Sequence, residues 1–122
     1  MDITQTEQLV VSALEDIKAK DILVIDSSRL SALFERVVIA TGDSNRQTRS
    51  LAHHVADKAR EAGLEVIGIE GEGTGEWVLV DLGSIVIHIM QPAVRSHYNL
   101  EELWSATPTR PSRPGSAAAR AA

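Results

Sequence analysis

The sequence predicts one α/β domain with a mixed β-sheet of about five strands and flanking helices. The chain has 122 residues, which is enough for a single hydrophobic core and a short tail. Short runs rich in Val and Ile alternate with two segments of helical periodicity. The final eighteen residues are rich in Pro, Ser and Ala and lack large apolar side chains. The predicted organisation is therefore a domain over residues 1–104 and a disordered tail over residues 105–122.

Two segments have the pattern of amphipathic helices. In residues 4–20, apolar side chains recur every three or four positions, and Thr4 and Glu7 have the spacing of a capping box. A second helix is predicted over residues 45–62, with Ser44 as its N-cap and a glycine as its C-terminal stop.

Five apolar runs are predicted to be strands: 22–26, 37–41, 64–69, 77–81 and 85–90. The first two are apolar at nearly every position, which is typical of strands buried on both faces. The strand–helix–strand unit over residues 37–69 predicts a right-handed crossover between parallel strands. A short helix is predicted over residues 99–104.

Charge and composition exclude several classes of function. Seventeen acidic residues outnumber twelve basic ones, and three of the basic residues follow Trp104, so residues 1–104 carry a net charge of −8. Phosphate backbones repel such a domain, whereas a basic protein surface attracts it. One Phe, one Tyr and two Trp are too few for a platform on which bases stack. The sequence therefore predicts no specific nucleic acid as partner.

Several common sites and signals are absent from the sequence. The chain has no cysteine, which excludes disulfides and thiol catalysis and favours a cytoplasmic location. No apolar run approaches the ~20 residues that span a bilayer, and the N-terminus lacks a signal-peptide pattern. His53 and His54 point about 100° apart on a helix, and no Asp-x-Asp pair occurs. We therefore expect no metal, no cofactor and no catalytic set.

The predicted hairpin has two different faces. With Leu82 and Gly83 as a two-residue turn, Trp77 lies opposite His88. Alternation then places branched aliphatic residues on one face: Val78, Val80, Ile85, Ile87 and Ile89. The other face has mixed chemistry: Trp77, Leu79, Asp81, Val86, His88 and Met90.

The mixed face favours a contact surface, since aromatic residues and Met are enriched in interfaces and a carboxylate is costly in a dry interior. Alternatively, a helix covers this face, and Trp77 is a core residue. A turn one residue longer would exchange the two faces. Tyr98 lies near the end of the ordered chain and extends the contact face in the first interpretation.

Two glycine-containing segments have weaker signals. The turn from Gly42 to Arg46 follows a strand and opens a helix, where backbone amides together with Arg46 or Arg49 can hold a phosphate. It lacks the spacing of a P-loop or dinucleotide motif, and a simple capped turn is the default interpretation. Residues 70–76 alternate Gly with Glu and Thr and are predicted to be a flexible connection, because the carboxylates repel phosphate.

The sequence resembles the ribosomal silencing factor family, also called the Iojap-related family, over about residues 5–104. The similar segments occur in the family's order: 21–26 (DILVID), 40–46 (ATGDSNR), 70–71 (EG), 77–81 (WVLVD), 83, 85–88 (IVIH) and 95 with 98–104 (YNLEELW). The resemblance implies a mixed α/β fold similar to nucleotidyltransferases but without their catalytic carboxylates. It implies a protein that is not an enzyme.

The resemblance also implies a partner and a mechanism. Family members bind the universal large-subunit ribosomal protein fourteen, a basic protein at the subunit interface, and block joining of the small subunit when nutrients are short. They are often homodimers when free, and the bacterial members are cytoplasmic. The alternative from the residues themselves is a small nucleotide-binding or nucleotidyltransferase-type enzyme that uses the turn from Gly42 to Arg46.

The predicted partner-binding residues come from two sources. Four match positions that the family ties to the ribosomal contact: Trp77, Asp81, His88 and Tyr98. Three are added because of their place on the hairpin: Leu79, Leu82 and Met90. The sequence departs from the usual family pattern at four positions: Glu35, Arg36, Gln47 and Thr48. The arginines of the tail are not a family feature.

Overall fold

The computed structural model describes residues 1–28, 34–98 and 108–111. Three helices lie in these ranges: α1 (Ile3–Asp16), α2 (Asn45–Glu61) and α3 (Pro92–Tyr98). Six strands form one sheet: β1 (Lys20–Asp26), β2 (Arg36–Thr41), β3 (Gly68–Glu70), β4 (Trp77–Asp81), β5 (Ile85–Met90) and β6 (Pro108–Pro111). Their order across the sheet is β3-β4-β5-β2-β1-β6.

The sheet is mixed, as predicted. Its central pair, β2 and β5, is parallel, and every other neighbouring pair is antiparallel. The predicted parallel relation of β2 and β3 is confirmed, because β3 is antiparallel to β4 and β4 is antiparallel to β5. The two strands are not neighbours, however, since β5 and β4 lie between them.

Helix α1 is shorter than predicted and begins with a different cap. The Asp2 carboxylate accepts a hydrogen bond from the Gln5 amide at 2.8 Å, and the Gln5 side chain accepts one from the Asp2 amide at 3.1 Å. The capping box is therefore Asp2 with Gln5, and Thr4 lies exposed in the first turn. The helix ends at Asp16 because Lys18 takes a left-handed conformation with φ 62°.

Helix α2 agrees with the prediction at both ends. The Ser44 hydroxyl accepts a hydrogen bond from the Gln47 amide at 3.0 Å, and Gly63 follows the helix with φ 83°. Strand β3 is shorter than the predicted run over residues 64–69. The Leu64 amide donates to the Ala59 carbonyl and so still closes the end of α2 rather than joining the sheet.

Two elements after β5 were not predicted. Pro92 begins α3, where its lack of an N–H costs nothing because the first helical amides have no partner within the helix. Strand β6 pairs with the outer edge of β1 at a place where the sequence predicts no regular structure. The predicted helix over residues 99–104 and the rest of the tail lie outside the described residues, so the boundary at residue 104 stays a prediction.

The two faces of the sheet differ in what covers them. Both long helices, α1 and α2, pack on one face in a core whose largest members are fully buried: Leu14, Ile22, Leu51, Ile85, Ile87 and Ile89. The opposite face, called the open face below, has a smaller core: Leu23, Ile25, Val37, Ile39 and Met90. Phe34, Trp77 and Val94 pack against this second core and are themselves partly buried.

The cap of α1 can be tested with a matched pair of exposed positions. We expect Asp2→Ala to lower the free energy of unfolding by about 1 kcal/mol, because the Gln5 amide loses its acceptor. Thr4→Ala, two residues later in the first turn of α1, should have little effect. Urea unfolding of the two variants measures the difference, and a larger loss for Thr4→Ala would place the cap where the sequence predicts it.

Candidate protein-binding site on the open face

The hairpin register differs from the prediction but leaves its faces unchanged. Leu82 donates its amide to the Ile85 carbonyl at 2.9 Å, so Gly83 and Ser84 form the turn instead of Leu82 and Gly83. Gly83 has φ 87°, and its amide donates to the Asp81 carboxylate at 2.8 Å. Each residue of β4 consequently lies opposite a residue of β5 that is two positions later than predicted. Because the difference is even, every side chain stays on its predicted face.

The division into two faces is confirmed. The five aliphatic residues of the hairpin are fully buried under α1 and α2: Val78, Val80, Ile85, Ile87 and Ile89. On the open face, Leu79 lies opposite His88, and Trp77 lies opposite Met90. Trp77, Leu79, Asp81 and His88 are each partly exposed. They form the open-face patch, the name kept below for these four residues.

Trp77 and His88 are coupled within the patch. The indole Nε1–H of Trp77 donates to Nδ1 of His88 at 3.0 Å, and the two ring centroids are 5.8 Å apart with a tilt of 52°. Because Trp77 is on β4 and His88 is on β5, this hydrogen bond joins the two strands. It also holds the indole ring of the partly exposed Trp77 in a defined orientation.

His88 is neutral at physiological pH. Burial lowers its pKa from 6.5 to about 4, because the charged imidazolium loses solvation. Since Nδ1 accepts from Trp77, the ring hydrogen is on Nε2. No acceptor for Nε2 is found among the described residues. The patch therefore has an uncharged donor available for an acceptor on a partner.

Carboxylates border the patch. Asp81 uses one oxygen to accept from the Gly83 amide. Glu70 of β3 pairs with Leu79 in the sheet register and so lies on the same face, where it is exposed. Glu70 is not among the predicted contact residues, because its position at the start of the glycine-rich segment predicts a loop rather than the end of a strand.

Two predicted contact residues, Met90 and Leu82, lie in the two cores. Met90 is fully buried in the core of the open face, where Trp77 and Val94 pack against the same cluster, so its predicted direct contact is wrong for this conformation. Leu82 is 9% exposed and belongs to the core under α1 and α2. The side chain of Tyr98 lies outside the described residues, and its role stays a prediction.

The glycine-rich loop before β4 is ordered, contrary to the prediction of a flexible connection. Arg49 of α2 donates from Nε to the Glu72 carbonyl at 2.7 Å and from its terminal nitrogen to the Gly73 carbonyl at 3.1 Å. The Glu72 carboxylate also pairs with His53. The loop is thus attached to α2 along its length, which alternation of Gly and Glu in the sequence could not reveal.

The turn from Gly42 to Arg46 uses several of its polar groups internally. The Asp43 amide donates to the Gln47 side chain at 2.7 Å, and the Gln47 amide donates to Ser44. Arg49, a candidate phosphate ligand one turn later, is held by the loop carbonyls. These contacts support the capped-turn interpretation over a phosphate site.

Three of the four residues that depart from the usual family pattern form hydrogen bonds or ion pairs within the domain. The Gln47 side chain donates to the Ile17 carbonyl at 3.2 Å and so joins α2 to the end of α1. Thr48 is buried, and its single hydroxyl proton lies between two acceptors, the backbone carbonyls of Asn45 and Gly75. Arg36 pairs with Glu7 at 3.1 Å. Each substitution is therefore accommodated inside the domain.

The histidines and acids of the described residues form no group of three that could hold a metal ion. His54 pairs with Asp16 at 3.0 Å, whereas His53 pairs with Glu72 on another side of α2. In the same part of the chain, no helix has the length and apolar character that crossing a membrane requires.

Comparison with known proteins identifies the family. The family model described as "ribosomal silencing factor during starvation" matches residues 1–122. This chain belongs to the ribosomal silencing factor family. A Chromobacterium violaceum protein named ribosomal silencing factor RsfS is 53% identical over 104 residues, which cover 85% of each chain. A crystal structure of a protein from the same organism superimposes with a TM-score of 0.85 at 49% identity, covering 96% of this chain and 97% of that one.

The family also extends beyond bacteria. A mouse protein named "mitochondrial assembly of ribosomal large subunit protein 1" is 33% identical over 100 residues, covering 80% of this chain and 44% of the mouse protein. Family membership confirms the resemblance and the α/β fold, and it gives the chain a role in the regulation of translation as a ribosome-associated repressor. The relatives bear the names of regulatory factors rather than enzymes.

The low pKa of His88 predicts a pH dependence of stability. Between pH 6.5 and 4, the unfolded chain binds a proton at His88 that the folded chain does not, so stability falls as the pH falls through this window. His88→Gln keeps an acceptor for Trp77 but does not titrate. Between pH 7 and pH 5, we expect the free energy of unfolding of this variant to fall by up to about 2 kcal/mol less than that of the wild type.

Urea unfolding at pH 7, 6 and 5 measures this difference. The acidic residues titrate in both proteins and cancel in the comparison. Equal losses in the two proteins would contradict a low pKa for His88.

Proposed function

We propose that this chain represses translation by binding the large ribosomal subunit through its basic protein fourteen and blocking association with the small subunit. The open-face patch is the contact surface. The observation that carries the proposal is the partly exposed Trp77, held by His88 on a sheet face that neither long helix covers. Nutrient limitation is the proposed condition, and the cytoplasm is the proposed location.

The apolar part of the patch supports a protein partner. Trp77 packs on the edge of the second core but leaves part of its ring in solvent. Leu79 is partly exposed and belongs to neither core cluster. Tryptophan is among the residues most enriched in binding hot spots, and a rigid indole loses little conformational entropy when a partner covers it.

The charge of the patch favours a basic partner. Asp81 and Glu70 place carboxylates on the open face, and residues 1–104 as a whole carry a net charge of −8. The neutral state of His88 adds no positive charge that would repel Lys or Arg. Carboxylates at the rim of an interface mainly accelerate association, whereas the buried aromatic residue supplies most of the affinity.

The proposed mechanism is steric and involves no chemical step. A domain docked on a protein at the subunit interface occupies space that the small subunit needs. The internal use of the Asp43 and Gln47 amides and of Arg49 supports this over the nucleotide-binding alternative at the turn from Gly42 to Arg46. The homodimer of the free protein stays a prediction.

The patch can be tested by truncating its two apolar members. We expect Trp77→Ala to weaken binding to purified large subunits about thirtyfold or more, the effect of ~2 kcal/mol at a hot spot. Leu79→Ala should weaken it less. Co-sedimentation with large subunits is the measurement, with purified basic protein fourteen as a second target.

The control is Ile67→Ala, which removes an apolar side chain that is 59% exposed and is not a member of the open-face patch. Thermal unfolding shows whether each variant is folded. If folded Trp77→Ala and Leu79→Ala both co-sediment like Ile67→Ala, the patch is not the contact surface.

The charge argument can be tested by reversing Glu70. We expect Glu70→Lys to slow association with large subunits several-fold at low salt, since the rim carboxylate would no longer attract a basic surface. The difference should shrink as the salt concentration rises.

The matched control is Glu15→Lys on α1, which changes the net charge equally and so has the same general attraction to ribosomal RNA. Glu15 is exposed in the helical layer on the other side of the sheet. Equal association rates for the two variants would contradict a role for Glu70 in steering.

A further inference from the structure

A single backbone carbonyl just before β4 has side-chain donors from two elements. The Gly75 carbonyl accepts from the Thr48 hydroxyl of α2 at 2.5 Å and from the Gln91 side-chain amide, just after β5, at 3.2 Å. Gly75 lies two residues before Trp77. We call Thr48, Gly75 and Gln91 the Gly75 anchor.

The orientation of Gln91 is fixed by its other contacts. Its backbone amide donates to the Glu76 carbonyl at 3.0 Å, and its side-chain amide also donates to the Asn45 side chain. Gln91 therefore binds the chain at Gly75 and at Glu76, the two residues that lead directly into Trp77.

Steric fit restricts the same segment. Gly75 has φ 72°, and a Cβ there would lie 2.9 Å from the Asn45 carbonyl oxygen. Gly71 has φ 87°, and a Cβ there would lie 2.0 Å from the Trp77 carbonyl oxygen. Both glycines permit a left-handed backbone and a close approach that other residues do not. The loop consequently lies directly against α2 and against the first residue of β4.

These contacts lie next to a side chain that the core only partly encloses. Trp77 is the first residue of β4 and is partly exposed, so the core holds only part of its ring. Strand β3 pairs with β4 only from Leu79 onward, so the β3–β4 pairing does not reach Trp77. The position of the preceding backbone therefore contributes to the direction of the indole, together with the hydrogen bond to His88 and the packing against the second core.

We infer that Thr48 and Gln91 are positioning residues for Trp77: through the Gly75 carbonyl they fix the start of β4 and so preorganise the open-face patch before a partner binds. This inference rests on the proposed function of the patch. A preorganised side chain loses less conformational freedom on binding, and affinity rises accordingly. Thr48 would thus affect binding although it is fully buried and cannot touch the partner.

The test compares two substitutions of Thr48. Thr48→Val keeps the shape but removes the hydroxyl, whereas Thr48→Ser keeps the hydroxyl. We expect Thr48→Val to bind large subunits about five- to tenfold more weakly than Thr48→Ser, the effect of one lost buried hydrogen bond. We also expect the Trp77 indole N–H signal in nitrogen-15 NMR spectra to shift or broaden in Thr48→Val and to stay in place in Thr48→Ser.

A loss of stability alone would leave the indole signal of the folded protein in place, so this signal separates positioning from stability. The signal is assigned as the one that Trp77→Phe lacks. If Thr48→Val does not fold, Gln91→Met removes the second donor at a partly exposed position and should shift the same signal and weaken binding. Folded Thr48→Val or Gln91→Met with an unchanged indole signal would overturn the inference.

The outcome also separates this inference from the proposed function. If Trp77→Ala binds large subunits as the wild type does, the function proposed for the patch fails, and the indole signal alone still decides whether Thr48 positions Trp77. If Trp77→Ala loses binding while Thr48→Val binds like Thr48→Ser, the patch is the contact surface and the anchor does not preorganise it, so the inference fails.

Discussion

The placement of both long helices on one face of the sheet is the constraint on which the rest of the molecule depends. Helices α1 and α2 bury the aliphatic side of β4 and β5 completely. Side chains alternate along a strand, so every residue between these buried positions must point to the other face. Helix α3 reaches only part of that face, through Val94 and through Arg95, which donates to Thr41. The hairpin end is left with a partly exposed surface.

The chemistry of that surface follows from its partial burial. A fully buried Trp77 and His88 would belong to the core, and fully exposed ones would have no fixed orientation. At intermediate depth, His88 loses enough solvation to stay neutral and accepts the Trp77 indole N–H. The result is a rigid, uncharged centre in an acidic domain, with Glu70 and Asp81 on the same face. Such a surface suits a basic protein better than a phosphate backbone.

The loops gain their order from helix α2. Arg49 and Thr48 bind carbonyls of the glycine-rich loop, and Gln47 binds carbonyls at the end of α1. One helix therefore contributes its apolar stripe to the main core and its first turns to the segment that leads into Trp77. Thr48, one of the positions at which the sequence departs from the usual family pattern, takes part in this second role, whereas Gln47 joins α2 to the end of α1.

The sequence by itself determined the types of the elements from α1 to β5, the two faces of the hairpin and the family. Periodicity sets which residues of β4 and β5 share a face, and an error of two positions in the register leaves that parity intact. Only the tertiary structure decided which residues of the mixed face are exposed. Met90 is buried because Trp77 and Val94 pack against its cluster, and the loop before β4 is ordered because Arg49 and Thr48 reach it across the fold. Contacts between residues distant in the chain leave no local pattern, and for that reason alternation identified the face but not the depth of each side chain within it.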